Sequence, residues 1–214
     1  MTIQTYDQLL SECASWLNRS DLSNKIPIFV DLLEAELDRR LRTTDQLKRA
    51  TTSVADQFAS LPSDFLELRN IQLDVTPEKL LQYLTPDRAD ELRRTEYRTS
   101  GEPVYYTILG RNIEFLPTPQ TSYTMQISYY SRIDKLDSTT QTTNIFLEKS
   151  PDLYLYGTLR HAESYLMNDE RLPVWTRWFE VALSQLVEQE EGKKTGEGML
   201  VMRPKTRIDT GAWK

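Results

Sequence analysis

Residues Ser150–Glu191, SPDLYLYGTLRHAESYLMNDERLPVWTRWFEVALSQLVEQEE, contain the pattern that decides the fold prediction. Their apolar residues recur in two blocks with steps of four, three and four, which places each block on one face of an α-helix. The blocks are Leu155, Leu159, Ala162 and Leu166, then Trp175, Phe179, Ala182 and Leu186. Ser150 and Pro151 suit the start of the first helix, and the polar run 168–171 separates it from the second. The stretch predicts a helical hairpin whose apolar faces need partners elsewhere in the chain.

Two further amphipathic helices are predicted near the beginning of the chain. Thr5 and Gln8 have the spacing of a capping box, and the apolar positions Tyr6, Leu9, Cys13, Trp16 and Leu17 follow them. The second helix should run from about Ile26 to Arg42. Its apolar stripe consists of Ile26, Val30, Leu33, Leu37 and Leu41. These faces are the natural partners for the C-terminal hairpin.

The middle of the chain changes to a period of two, which is typical of β-strands. Apolar residues alternate with polar ones in four segments: Ile71 to Val75, Val104 to Ile108, Ile113 to Phe115, and Tyr123 to Tyr129. Gly110-Arg111 predicts a tight hairpin between two of them. Residues 86–95 predict one short helix, capped by Thr85. The middle is therefore a mostly antiparallel β region.

This order of elements predicts an α+β protein with a bundle of four main helices, two N-terminal and two C-terminal. Residues 1–46 and 145–192 would form the bundle, since four amphipathic stripes can bury one another. Residues 47–144 would be an inserted β region with one short helix. Residues 193–214 would be an extended C-terminal arm, because glycine and proline recur there while apolar residues remain frequent.

Composition describes an ordinary globular protein with an uneven charge. The 214 residues carry a net charge of −6, yet the segment after Gly192 holds six basic residues against two acidic ones. The rest of the chain is therefore more acidic than the total, which argues against nucleic-acid binding through the whole surface. No apolar run approaches the length needed to cross a bilayer and no secretory signal is visible. The single cysteine favours a reduced, cytosolic setting.

The sequence offers few groups for catalysis. His161 is the sole histidine and Cys13 the sole cysteine, so triads with several imidazoles and multi-histidine metal sites are excluded. No phosphate-binding glycine loop is present. The acidic residues of the predicted helices are more typical of solvated faces than of a hydrolytic pair. We expect no enzyme, no cofactor and no metal.

Four stretches, taken together and in order, resemble the head-to-tail adaptor (connector) proteins of tailed bacteriophages. They are LNRSDLSNKIPIFVDLLEAELDRRLR (Leu17–Arg42), LPSDFLELRNIQLD (Leu61–Asp74), GEPVYYTILGRNIEFLPTPQTSYTMQISYYSRI (Gly101–Ile133) and SPDLYLYGTLRHAESYLMNDERLPVWTRWFEVAL (Ser150–Leu183). The resemblance implies a dodecameric ring beneath the portal, in the neck of the virion. That ring would extend the DNA channel and provide the docking surface for the tail or nozzle protein. The protein would be made in the host cytoplasm, contact its neighbouring adaptor subunits, pass DNA without specific binding and bind no membrane.

The arm is the predicted site of portal attachment. Its apolar and cationic residues would lie on the portal, as the resemblance implies for a C-terminal arm. They are Met199, Leu200, Val201, Met202, Arg203, Lys205, Arg207 and Trp213. Two alternatives of other classes remain open: an acid-pair glycan hydrolase of a phage particle, and a nucleic-acid-binding protein that acts through its basic arm.

Overall fold

The computed structural model describes residues 3–19, 21–95, 99–167 and 170–195. The long helices occur where the apolar stripes predict them. The helices are α1 (Tyr6–Leu17), α2 (Ile26–Arg40), α3 (Pro86–Arg94), α4 (Ile145–Lys149), α5 (Pro151–Leu166) and α6 (Leu172–Thr195), with a 3₁₀ turn at Thr44–Gln46. The capping box at α1 is confirmed, since the Gln8 amide donates to Thr5 Oγ1 and the Thr5 amide donates to Gln8 Oε1.

Among the described residues, ten strands form three sheets in the middle of the chain. They are β1 (Leu47–Val54), β2 (Phe58–Ser60), β3 (Phe65–Leu73), β4 (Lys79–Leu80), β5 (Gln82–Tyr83), β6 (Ser100–Gly101), β7 (Tyr105–Leu109), β8 (Asn112–Leu116), β9 (Thr118–Pro119) and β10 (Tyr123–Ser131). The sheet orders are β1-β10-β3-β4, β2-β8-β7-β5 and β6-β9. Pairing is antiparallel except between β5 and β7 and between β6 and β9. Gly110, with φ of 62°, lies at the predicted hairpin between β7 and β8.

The described residues bury two apolar clusters. One combines side chains from the two larger sheets, such as Ile71 and Met125 from one and Ile113 and Phe115 from the other. The second lies among the helices and contains the whole predicted stripe of α2. Ile133 and Leu136, from the segment that follows β10, also belong to this helical cluster. The segment between the sheets and α4 is therefore anchored on the helices.

The prediction of a four-helix bundle is wrong, and the structure supports the α+β class alone. In such a bundle each long helix packs along two others around a common core. Here α5 is the central helix and packs against α1, α2, α4 and α6. The core is also filled by Phe146 and Leu147 of α4 and by Ile133 and Leu136. Because these additional groups cover part of the apolar stripes, the four long helices need not pack against one another to bury them.

The end of α6 also differs from the sequence prediction. The helix α6 continues through Gly192 to Thr195, three residues beyond the predicted end of the helical region at residue 192. Lys193 forms an ion pair with Glu190 and lies 3.8 Å from Asp45. These contacts hold the last turn of α6 in place, so residues 193–195, predicted as the start of the arm, are helical.

Candidate assembly surfaces

The residues predicted to bind the portal, Met199, Leu200, Val201, Met202, Arg203, Lys205, Arg207 and Trp213, lie outside the described residues. The structure does describe where α6, which leads into them, is attached. Glu190 is buried near the end of α6 and accepts hydrogen bonds from the Thr44 amide at 2.8 Å and from Thr44 Oγ1 at 2.6 Å. The end of α6 is thereby joined to the 3₁₀ turn between α2 and β1.

The charge on Glu190 stabilises this attachment. Burial raises the pKa of its carboxyl group, but the hydrogen bonds from Lys193 and Thr44 outweigh burial and lower that pKa to about 2. Glu190 is therefore ionised at neutral pH. Lys149 completes the group, because its ammonium pairs with Asp45 of the same turn. The end of α6 is thus held by an ionic cluster that joins α4, α6 and the 3₁₀ turn before β1.

A second polar cluster joins α2, α5 and α6 on the outside of the helical core. Arg40 donates two hydrogen bonds to Glu180, at 2.7 and 2.6 Å, and one to Glu36 at 3.1 Å. Glu36 also pairs with Arg160, whose guanidinium lies 4.2 Å from the centre of the Phe179 ring. The hydrogen bonds from Arg40 lower the pKa of Glu180. The bidentate pair of Arg40 with Glu180 connects α2 with α6, which are far apart in sequence, and Glu36 adds α5 through Arg160.

His161 belongs to the same cluster. Its Nε2 lies 3.5 Å from Glu36, and burial followed by the neighbouring Arg160 charge lowers its pKa. The imidazole is therefore mostly neutral at pH 7 and fills a position between two helices.

The other groups considered for catalysis are positioned by packing. Cys13 is fully buried, and burial raises the pKa of its thiol to about 12. Tyrosines are consecutive at 105–106 and at 129–130, and in each pair one ring is buried (Tyr106, Tyr129) and the other is partly exposed (Tyr105, Tyr130), because successive strand residues point to opposite faces. Within the described residues, no cluster of His, Cys, Asp or Glu could hold a metal ion.

Arg93 has a role that sequence reasoning missed. It lies in the last turn of α3, and its guanidinium pairs with Glu114, a buried residue of β8, as well as with Asp90. Gln57 donates a further hydrogen bond to Glu114 at 2.7 Å. Arg93 thereby fixes α3 to the β8 strand. Glu114 is the single acidic residue among the apolar residues of β8. An acid in such a position indicates a buried ion pair, and this was the sequence signal for the contact.

Two exposed apolar stripes were also missed. Ile28, Leu32 and Ala35 lie on the outer face of α2, and Val174, Trp178 and Val181 lie on the outer face of α6. Both stripes have the spacing i, i+4, i+7 in the sequence. They are hard to recognise there, because the buried face of each helix has a longer apolar stripe. Exposed contiguous apolar surface of this kind is typical of contact sites for other proteins.

The exposed apolar stripes favour a class of protein that works through contacts with other proteins. A comparison with protein-family models agrees with this class. The model described as SU10 adaptor protein matches residues 4–203, which include both helical segments and the whole β region. The chain belongs to this family. The resemblance to phage head-to-tail adaptors is therefore confirmed.

Membership in the family assigns the chain a structural role in a bacteriophage particle, as an adaptor that contacts portal and tail proteins. The family points to a structural protein rather than an enzyme. A search of curated proteins found no match. Among the described residues, no helix is both long enough and apolar enough to span a membrane.

Proposed function

We propose that the protein docks as a ring beneath the phage portal, extends the DNA channel and provides the attachment surface for the tail. The observation that carries this proposal is the family match across residues 4–203, which leaves few residues outside it. The ring is proposed to be dodecameric and to stand in the neck of the virion. The neighbours of each subunit are then two further adaptor subunits, the portal and a tail or nozzle protein.

The residues proposed for portal attachment are those of the basic arm. Its composition supports this role, since Met199–Met202 are consecutive apolar residues and Arg203, Lys205 and Arg207 follow them closely. The ionic cluster around Glu190 fixes the end of α6, so the arm would start from a defined point on each subunit. A short arm has modest affinity by itself, but many arms on one ring-shaped partner multiply it.

The distribution of charge supports passage of DNA without specific binding. The net charge of −6 includes the basic arm, so the remainder of each subunit is more negative. A channel wall of that sign repels the phosphate backbone and prevents tight contact. The same repulsion acts between subunits and favours assembly on a portal over assembly in solution.

The decisive experiment removes residues 196–214 and retains Thr195, so that the contacts of Glu190 and Lys193 are preserved. We expect the truncated protein to keep its circular dichroism spectrum and its unfolding midpoint. It should no longer sediment with its cognate portal, because the proposed attachment residues are gone.

The matched control keeps the arm and replaces its two acids, Glu197→Gln and Asp209→Asn. This variant makes the arm more cationic and should bind the portal at least as well as the wild type. Unchanged portal binding by the truncated protein would refute the role of the arm. Electron microscopy of the wild-type complex tests the ring, and a count other than twelve would refute the proposed stoichiometry.

A further inference from the structure

The two apolar clusters divide the subunit into two bodies. Among the described residues, no apolar side chain belongs to both clusters. The sheet body comprises residues 47–132, and the helical body comprises residues 3–46 and 133–195. The 3₁₀ turn at Thr44–Gln46 lies where they meet and packs against α6 on one side and β10 on the other. Since each body has its own core, burial of apolar surface does not fix the orientation of one on the other.

The change from one body to the other is abrupt where the chain leaves β10. The Arg132 amide donates to the Asp64 carbonyl oxygen at 2.7 Å, within the sheet body. The amide of the next residue, Ile133, donates to Asp38 Oδ1 of α2 at 2.8 Å, and the Ile133 side chain is buried in the helical cluster. Two consecutive residues are therefore anchored on different bodies.

The other crossing of the chain, from α2 into β1, is equally short. Thr44 is bonded to Glu190 of α6, and Leu47, three residues later, pairs with Tyr130 of β10. Gln46 Nε2 donates to the Ser131 carbonyl oxygen at 3.3 Å, so the two crossings lie side by side. Two adjacent crossings restrain separation of the bodies but leave rotation about the crossings open.

Polar contacts bridge the two bodies beside the crossings. Arg42 Nε lies 2.6 Å from Glu67 Oε2 of β3, and Arg42 Nη1 donates to the Asp38 carbonyl oxygen at 2.7 Å, which fixes the guanidinium on the helical body. Lys48 and Asp134 approach to 4.0 Å. The Glu67 side chain is 56% exposed, and an exposed ion pair contributes at most about 1 kcal/mol. These contacts can hold one orientation without making it rigid.

A polar cleft of about 350 Å³ also lies between the bodies. Its lining includes Lys48, Ser131 and Arg132 from the sheet body and Asn144 and Glu148 from the helical body. The surfaces that face each other here are polar and incompletely packed. Motion between two units of one chain is expected unless their interface is large and apolar.

We infer that the sheet body turns on the helical body about a hinge formed by residues 44–47 and 131–133, and that the Arg42–Glu67 ion pair holds the orientation seen in the structure. Hinges of this kind consist of a few residues at the ends of regular elements. Because α6 belongs to the helical body, the sheet body can be reoriented without moving the end of α6. The hinge is a property of the single subunit and does not depend on the proposed ring.

Distances between pairs of spin labels, measured by pulsed electron paramagnetic resonance on the full-length protein, test the hinge. The pair Asp56→Cys with Glu188→Cys spans the two bodies. Ser11→Cys with Glu188→Cys lies within the helical body, and Asp56→Cys with Asp74→Cys lies within the sheet body; all these positions are exposed. Native Cys13 is buried, which raises the pKa of its thiol to about 12, so it should not be labelled.

We expect the distance distribution between the bodies to be about twice as broad as either distribution within a body. The two pairs within a body share their labelled positions with the pair between bodies, so they account for local motion of each label. Equal widths for the three pairs would show a single rigid unit and overturn the inference.

The role of the ion pair is tested with the same labels. The variant Glu67→Gln should broaden or shift the distribution between the bodies. Salt at about 1 M, where the Debye length is about 3 Å, should do the same to the wild type and should have little further effect on the variant. The matched control, Glu102→Gln, removes an ion pair with Lys79 inside the sheet body and should leave the distribution unchanged. Equal effects of the two replacements would contradict the role of Arg42 and Glu67.

Attachment to the portal should narrow the distribution between the bodies, because contacts in the assembled particle select one orientation. The two distributions within a body should not change. If the portal binds and the distribution stays broad, assembly does not set the orientation, and this part of the inference is wrong. If the portal does not bind, the proposed function fails, whereas the widths measured on the isolated subunit still decide whether the hinge exists.

Discussion

At the scale of single residues, Glu34 is the group whose burial has the clearest energetic consequence. It lies on α2 inside the helical core, where Glu34 Oε1 accepts a hydrogen bond from the Leu136 amide at 3.1 Å. Tyr154 donates to the same oxygen at 3.4 Å, while no described group pairs with the buried Oε2. Burial raises the pKa of Glu34 from 4.5 to about 7. The folded state therefore favours the protonated acid.

This raised pKa predicts that stability falls as the pH rises. The favourable contribution of the protonated group is complete below pH 4.5, and it is lost as the pH increases through about 7. The variant Glu34→Gln removes the ionisation and should be more stable than the wild type at pH 8, by up to about 3 kcal/mol. That advantage should disappear near pH 5. Urea unfolding at the two pH values measures it.

The control for Glu34→Gln is Glu188→Gln, an exposed position on α6. The free energy of unfolding of Glu188→Gln should equal that of the wild type at both pH values. If the stability of Glu34→Gln relative to the wild type is independent of pH, then Glu34 is not the titrating group.

At the scale of elements, the packing of α2, α5 and α6 depends on Gly157. A Cβ atom at this position would overlap the Leu33 side chain and lie 3.1 Å from Phe179 Cδ2. The replacement Gly157→Ala should therefore cost about 1–3 kcal/mol of overpacking, against about 0.5–1 kcal/mol gained from helix propensity. We expect a net loss of stability, measured by thermal or urea unfolding.

Gly192→Ala is the matched control for this prediction. Gly192 is also a helical glycine, but a Cβ atom there would have no neighbour within 4 Å. The replacement should be neutral or stabilising by about 0.5–1 kcal/mol. Equal effects of the two replacements would show that helix propensity, rather than the close approach of three helices, determines the outcome at Gly157.

The same scale shows what the sequence could predict. A local period reveals an element, so the stripes of α1, α2, α5 and α6 and the alternation in β7, β8 and β10 were recognised. A local period carries no information on which distant segments of the chain pack or pair with that element. The pairing of β1 with β10 was not predicted, since Leu47–Val54 is mostly polar and its place is set by the register with Tyr123–Tyr130.

Partners outside the regular elements explain the incorrect bundle prediction. Ile133 and Leu136 have no helical or strand context in the sequence, yet they fill the helical core. The exposed apolar stripes show a second limit of prediction from sequence. The stripes on α2 and α6 can be counted from the sequence, but only the packing around α5 reveals which stripe is buried and which remains exposed.

At the scale of the whole molecule, assembly is a balance between small contacts and a long-range repulsion. Each subunit has a net charge of −6, and subunits in a ring bring these charges together. The exposed stripes on α2 and α6 carry only three apolar residues each, and an exposed ion pair between subunits contributes at most about 1 kcal/mol. Contacts of this size are too small to hold a ring together in dilute solution.

The portal changes this balance by concentrating subunits. Once arms are attached to one ring-shaped partner, contacts between neighbours become effectively intramolecular, and their local concentration is on the order of millimolar. We therefore expect a monomer in isolation at micromolar concentration and rings when the portal is added. Sedimentation velocity with and without the portal measures both states, and the arm-truncated protein should remain monomeric in each. A stable ring of wild-type protein without the portal would contradict this template mechanism, because the subunit contacts would then suffice alone.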